Sequence, residues 1–155
     1  MPDAKVVKQF VFSLPNKTGL AGEITANLAN AKINISAFAG YEMGDKAEFM
    51  LICDQMPKAK KVLQKMGAEL KEEQVIEVQM PNKIGELKTL TGSLGDAGIN
   101  INYIYGTTGL PKSSVCILKT HDNKKAIKTL STKAKPAKAV KKDTKSVSAK
   151  KPVKK

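Results

Sequence analysis

The stretch LPNKTGLAGEITANLANAKINI, residues 14–35, returns without a gap as MPNKIGELKTLTGSLGDAGINI, residues 80–101. At a constant offset of 66, Pro15, Asn16, Lys17 and Gly19 fall on Pro81, Asn82, Lys83 and Gly85. Leu28, Ile33, Asn34 and Ile35 fall on Leu94, Ile99, Asn100 and Ile101 in the same way. A match of this length in register is an internal duplication. It decides the organisation of a 155-residue chain, whose length alone fits one ordinary domain or two very small ones. Downstream the copies match more loosely: Gly40 meets Gly106, a turn of the second copy gains two residues, Asp54 meets Asp122 and Leu63 meets Leu130.

Within each copy the apolar period changes in a set order. Phe10, Phe12 and Leu14 alternate with Gln9, Val11 and Ser13, and Ile76, Val78 and Met80 alternate with Glu77 and Gln79. A period of two predicts a strand with one covered face and one rather polar face. After the PNK turn, apolar residues fall three and four apart, at Leu20, Ile24, Leu28 and Ala31 and at Leu87, Leu90, Leu94 and Ala97. That spacing predicts an amphipathic helix of about a dozen residues. INISAFAGYEM and AEFMLICD, like INYIYGTT and SSVCILKT, read as strand pairs turning at Gly44-Asp45 and at Gly109-Leu110-Pro111. Asp54 and Asp122 stand where helix N-caps belong, ahead of PKAKKVLQKM and NKKAIKTL, and GAELKEEQ reads as a short last strand of the first copy.

The resulting order, strand-helix-strand-strand-helix-strand, is an α+β, ferredoxin-like βαββαβ unit: an antiparallel sheet with helices on one face. The expected division is a first unit over residues 5–73, a second over 74–131 and a disordered lysine-rich tail over 132–155. After Leu130, STKAKPAKAVKK carries too little apolar content for a fourth strand, so the second sheet keeps three strands or borrows one. An unpaired edge invites a second copy of the chain, a homodimer.

A strand ending in P-N-K-x-G, an amphipathic helix, then A-x-I-N-I or A-G-I-N-I resembles the ACT domain family, and does so twice, over about residues 5–130. With INYIYG in the second copy, the order of parts is close to small bacterial proteins of two ACT domains and little else. The copies depart from the family pattern at Thr18 and Ile84, where proline is usual, and at Ala31-Lys32, where Ala-Gly is usual. The resemblance implies tandem ACT units in a regulatory protein with no catalytic site of its own. It implies allosteric regulation, with a small free amino acid bound at the first strand-helix turn and the interface between units, and its occupancy reported to an enzyme or partner.

The residues of that turn suit a zwitterion independently of the family. Gly19 and Gly85 let backbone approach a small solute closely. The adjoining helix N-terminus offers unpaired N–H groups and partial positive charge to a carboxylate. Asn16 and Asn82 carry donors and an acceptor without net charge, and Lys17 and Lys83 can steer a carboxylate. Thr18, Leu20, Ile84 and Glu86 complete the two turns, and backbone at Asn34-Ile35 and Asn100-Ile101 is the further candidate contact. The plainer reading of the same residues is that asparagine before a helix caps it and glycine shapes a turn.

Twenty-seven basic residues, all lysine, face 14 acidic ones, for a formal charge of +13. Residues 131–155 hold ten of those lysines and one acid, so residues 1–130 carry only +4. The tail suits salt-sensitive attraction to nucleic acid or another polyanion, with the folded part serving for dimerisation. It equally suits plain solubilisation. Without arginine there is no forked recognition of phosphates or bases. Cys53 and Cys116 sit in apolar runs, which reads as buried free thiols in a reducing cytoplasm, and no apolar run reaches membrane-span length. No acid pair, Ser-His-Asp set, phosphate loop or metal-ligand spacing appears; His121 stands alone, and no cofactor or metal is implied.

Overall fold

The computed structural model describes residues 3–132. Ten elements follow one another: β1 (Asp3–Pro15), α1 (Leu20–Asn30), β2 (Ile35–Met43), β3 (Lys46–Cys53), α2 (Met56–Lys65), β4 (Glu69–Pro81), α3 (Glu86–Asp96), β5 (Ile101–Leu110), β6 (Ser113–Thr120) and α4 (Asn123–Thr132). The tail lies outside the described residues from position 133 on.

The strands form one antiparallel sheet in the order β2-β3-β1-β4-β6-β5. Its centre is made by β1 and β4, which pair from Asp3↔Gln79 to Ser13↔Glu69. Residues 10–15 of β1 are flanked on the other side by β3, and residues 76–81 of β4 by β6. Each first strand therefore continues past its own unit and serves as the fourth strand of the other. The second sheet borrows its missing strand from the start of the chain. GAELKEEQ is not a separate short strand: residues 69–80 contain no glycine, proline or asparagine, and the ladder runs through them into β4.

Both helix pairs cover the same face. Phe10, Phe12 and Leu14 pack with Leu20, Ile24 and Leu28 of α1 and with Ala59 and Leu63 of α2. Ile76, Val78 and Met80 pack with Leu90 and Leu94 of α3 and with Ala126 and Leu130 of α4. The buried stripe of α1, at 20, 24 and 28, falls on 86, 90 and 94 of α3, so Leu87 is exposed rather than part of the core as its spacing suggested. Each large side chain buried in these clusters stabilises the fold by about 1.5–3 kcal/mol.

Three further expectations need correction. Asp122 caps α4, its Oδ1 accepting the Lys125 N–H at 2.9 Å, but Asp54 does not cap α2. The N-cap of α2 is Gln55, while Asp54 Oδ1 accepts the Asn34 N–H at 3.0 Å, because a proline follows the first residue of α2 and sets the helix start one position later. The β5-β6 turn also falls later, at Pro111-Lys112. Finally, the sheet face away from the helices is not simply polar. Gln9 is fully buried there, its Nε2 donating to Tyr103 Oη at 2.7 Å and its Oε1 accepting from Tyr105 Oη at 2.5 Å. Tyr103 in turn donates to Glu73, and Val75, Ile52 and Ile117 form a small apolar cluster beside them.

Candidate functional site

The duplicated PNK turns become two corners, each between the end of a central strand and the start of a helix. Gly19 and Gly85 are the N-caps of α1 and α3, with φ of 84° and 92°, and neither helix has a side-chain cap. A β-carbon is strongly disfavoured at such dihedrals, which accounts for glycine in both copies.

The helix amides behave alike at the two corners. Leu20 N–H reaches Lys17 O and Glu23 N–H reaches Gly19 O; Glu86 N–H reaches Lys83 O and Thr89 N–H reaches Gly85 O. Between them, the amides of Ala21 and Gly22 and of Leu87 and Lys88 have no partner among the described residues. The side-chain amides of Asn16 and Asn82 are exposed and also have none. Two bare helix-terminal donors beside an idle amide are a set of hydrogen-bond groups that a carboxylate has the chemistry to satisfy.

The remaining candidates divide. Asn16, Lys17, Gly19 and Leu20 line the opening at the first corner, and Asn82, Lys83 and Glu86 that at the second, whereas Thr18, Ile84 and Gly85 sit in the turns outside those linings. Asn34-Ile35 and Asn100-Ile101 are placed elsewhere. Ile35 pairs with Cys53 and Ile101 with Thr120, half a sheet away from strand ends Pro15↔Lys46 and Pro81↔Ser113, where the corners open. The backbone of Asn34 is engaged by Asp54, and that of Asn100 by His121. The two corners themselves lie at opposite ends of the shared sheet, so the junction between the halves joins neither to the other.

The corners differ in their surroundings. The first opens on a cavity of about 300 Å³ bounded by Asn16, Lys17, Gly19, Gly40, Tyr41 and Phe49. Lys17 is engaged there by Glu23, Nζ to Oε2 2.6 Å. The second opens on about 670 Å³, walled by Met80, Leu87, Ile104, Val115 and Cys116 with Asn82, Lys83 and Glu86 at one end. Lys83 and Glu86 form no ion pair among the described residues. Burial pushes the Cys116 thiol up to about 11, so at neutral pH it is a protonated, apolar part of the wall rather than a nucleophile. Sequence reasoning had not singled out Glu23, Phe49 or Ile104, and had read Cys116 only as a buried thiol. Pairing across strands brings Phe49, Ile104 and Cys116 to the corners, while Glu23 comes from the first turn of α1.

The chain matches the family described as the ACT domain pair over residues 5–143. It belongs to that family. This ACT domain pair is similar to the solved protein BT0572 from Bacteroides thetaiotaomicron, with 29% identity, a TM-score of 0.77, and coverage of 84% of this chain and 90% of that one. It shares its fold with the regulatory subunit of aspartate kinase from Thermus thermophilus in ligand-free form, at 12% identity and a TM-score of 0.64, covering 84% and 95% of the two chains. The aspartokinase alpha and beta subunits give 21% identity and a TM-score of 0.57, with 82% and 95% covered. No curated protein sequence matches this chain.

Proposed function

We propose that this protein is a non-catalytic regulator that binds a free amino acid at its strand-helix corners and passes the occupancy to a partner. The observation that carries the reading is the pair of unfilled helix starts: glycine caps, no side-chain cap, and bare amides beside Asn16 and Asn82. A carboxylate on those amides and an ammonium on the asparagine oxygen is a complementary pose for a zwitterion. Likeness in fold to proteins named as regulatory subunits of aspartate kinase supports a regulatory role. The open outer edges of β2 and β5 support self-association into a dimer, and two buried free thiols fit the reducing cytoplasm.

Thermal melts of the full chain against each of the twenty amino acids test this. At least one should raise Tm, because a ligand at a hundred times its Kd adds about 2.7 kcal/mol to the native state. The double variant Asn16→Ala with Asn82→Ala should abolish that shift. Twenty amino acids without a shift would remove the proposal.

A further inference from the structure

We infer that the two corners are not equivalent: the second alone takes an amino acid, and that amino acid has a large apolar side chain. The inference rests on the reading of the corners as amino-acid sites and concerns which corner is used and for what.

The difference starts in the core of each half. In the first, Phe49 stacks between Phe12 and Phe38, with ring centroids 5.4 and 5.5 Å apart. These three rings come from β1, β2 and β3, and the central one, Phe49, lines the first corner's cavity. In the second half the matching positions hold Val78, Ile104 and Cys116; Cys116 faces Gly106 across the ladder as Phe49 faces Gly40. Three rings are replaced by three smaller apolar groups, of which Ile104 and Cys116 line the second cavity, and the volume there is about 670 Å³ against about 300 Å³. The larger value lies within the range of about 300–1,000 Å³ typical of small-molecule sites, and the smaller at its lower limit.

The polar ends differ in the same direction. At the first corner Glu23 takes up the charge of Lys17, and Leu20 turns into the core. At the second, Thr89 replaces Glu23 and uses its hydroxyl on Gly85 O, so Lys83 keeps its charge for an incoming carboxylate. Glu86 stands where Leu20 does and offers a carboxylate to the ligand's ammonium. The second corner thus presents a counter-charge for each charge of a zwitterion together with an apolar wall. In the apolar wall of Met80, Leu87, Ile104 and Cys116, Leu87 and Ile104 are exposed, so an aliphatic or aromatic side chain laid on them removes apolar surface from water, which a charged side chain does not.

Isothermal titration calorimetry on the full-length protein, with L-leucine, L-methionine, L-phenylalanine, glycine and L-aspartate, tests this. At least one apolar amino acid should bind once per chain, about tenfold or more tighter than glycine or aspartate. Lys83→Ala should weaken it about tenfold or more, and Cys116→Phe, which restores a ring to the wall, should block it. Cys116→Phe adds bulk to a core; Lys83→Ala, in an exposed turn, carries the test on its own if that variant does not fold. Two molecules bound per chain, preference for glycine or aspartate, binding that survives Lys83→Ala, or no binding by any of the three apolar amino acids overturns the inference. The wider proposal of amino-acid binding falls only if all twenty fail.

Discussion

Lys32 shows how a single position records the duplication. It has φ of 61°, and its counterpart Gly98 has φ of 68°. A side chain in that region costs roughly 1–2 kcal/mol, against about 0.5–1 kcal/mol for the extra freedom glycine gives the unfolded chain. Lys32→Gly should therefore stabilise the protein by up to about 1.5 kcal/mol. The check is a higher urea midpoint at unchanged slope. Protons act on stability through the buried acids. Burial raises the Cys116 thiol from 9.0 to about 11, and it also raises the phenols of Tyr103 and Tyr105 above 10, with hydrogen bonding to Glu73 adding to the first and the charge of Glu77 to the second. A raised acid favours folding while both states hold the proton, and that preference is lost once the unfolded chain ionises first. The Cys116 contribution is full below about pH 9 and gone by about pH 11. Melts across that window should show Tm falling, with a shallower decline in Cys116→Ala.

Among the elements, β1 and β4 each have two roles. Residues 3–9 of β1 pair only with β4, and α4 packs across them. Deleting residues 1–8 should open the second half first: hydrogen exchange should accelerate in β4, β5, β6 and α4 before β2, β3 and α1. Equal loss of protection everywhere would contradict that assignment. The helices and hairpins were legible in the sequence because their spacing and turn residues are local. The exchange of strands was not, since Asp3 meets Gln79 and Ser13 meets Glu69 across more than fifty positions, and neither strand names its partner. Gln9 was misread for the same reason. It looks solvent-facing in its own strand, and its burial depends on Tyr103 and Tyr105, 94 and 96 positions away. At the corners, the asparagine, lysine and glycine of each turn could be read directly, as could Glu86 in place of Leu20. The aromatic stack beside the first corner could not, because Phe12, Phe38 and Phe49 meet only once three strands are aligned.

The whole molecule has two separate helix-covered cores on one continuous sheet. Interlocked strands couple the two cores, which favours a single unfolding transition over two. On the proposed function, a ligand in the second corner would act on the first half through the end of β4 and the ladder it shares with β1.

The reciprocal loan of β1 and β4 makes the molecule a fused pair rather than a string of two parts. Nicked at Gly67-Ala68, between α2 and β4, it would yield two fragments, each lacking the arm that closes its own layer and each carrying the arm the other lacks. Such fragments are built to find one another and reassemble without a peptide link. An ancestor with a single copy of the repeat would have met the same requirement by embracing its twin.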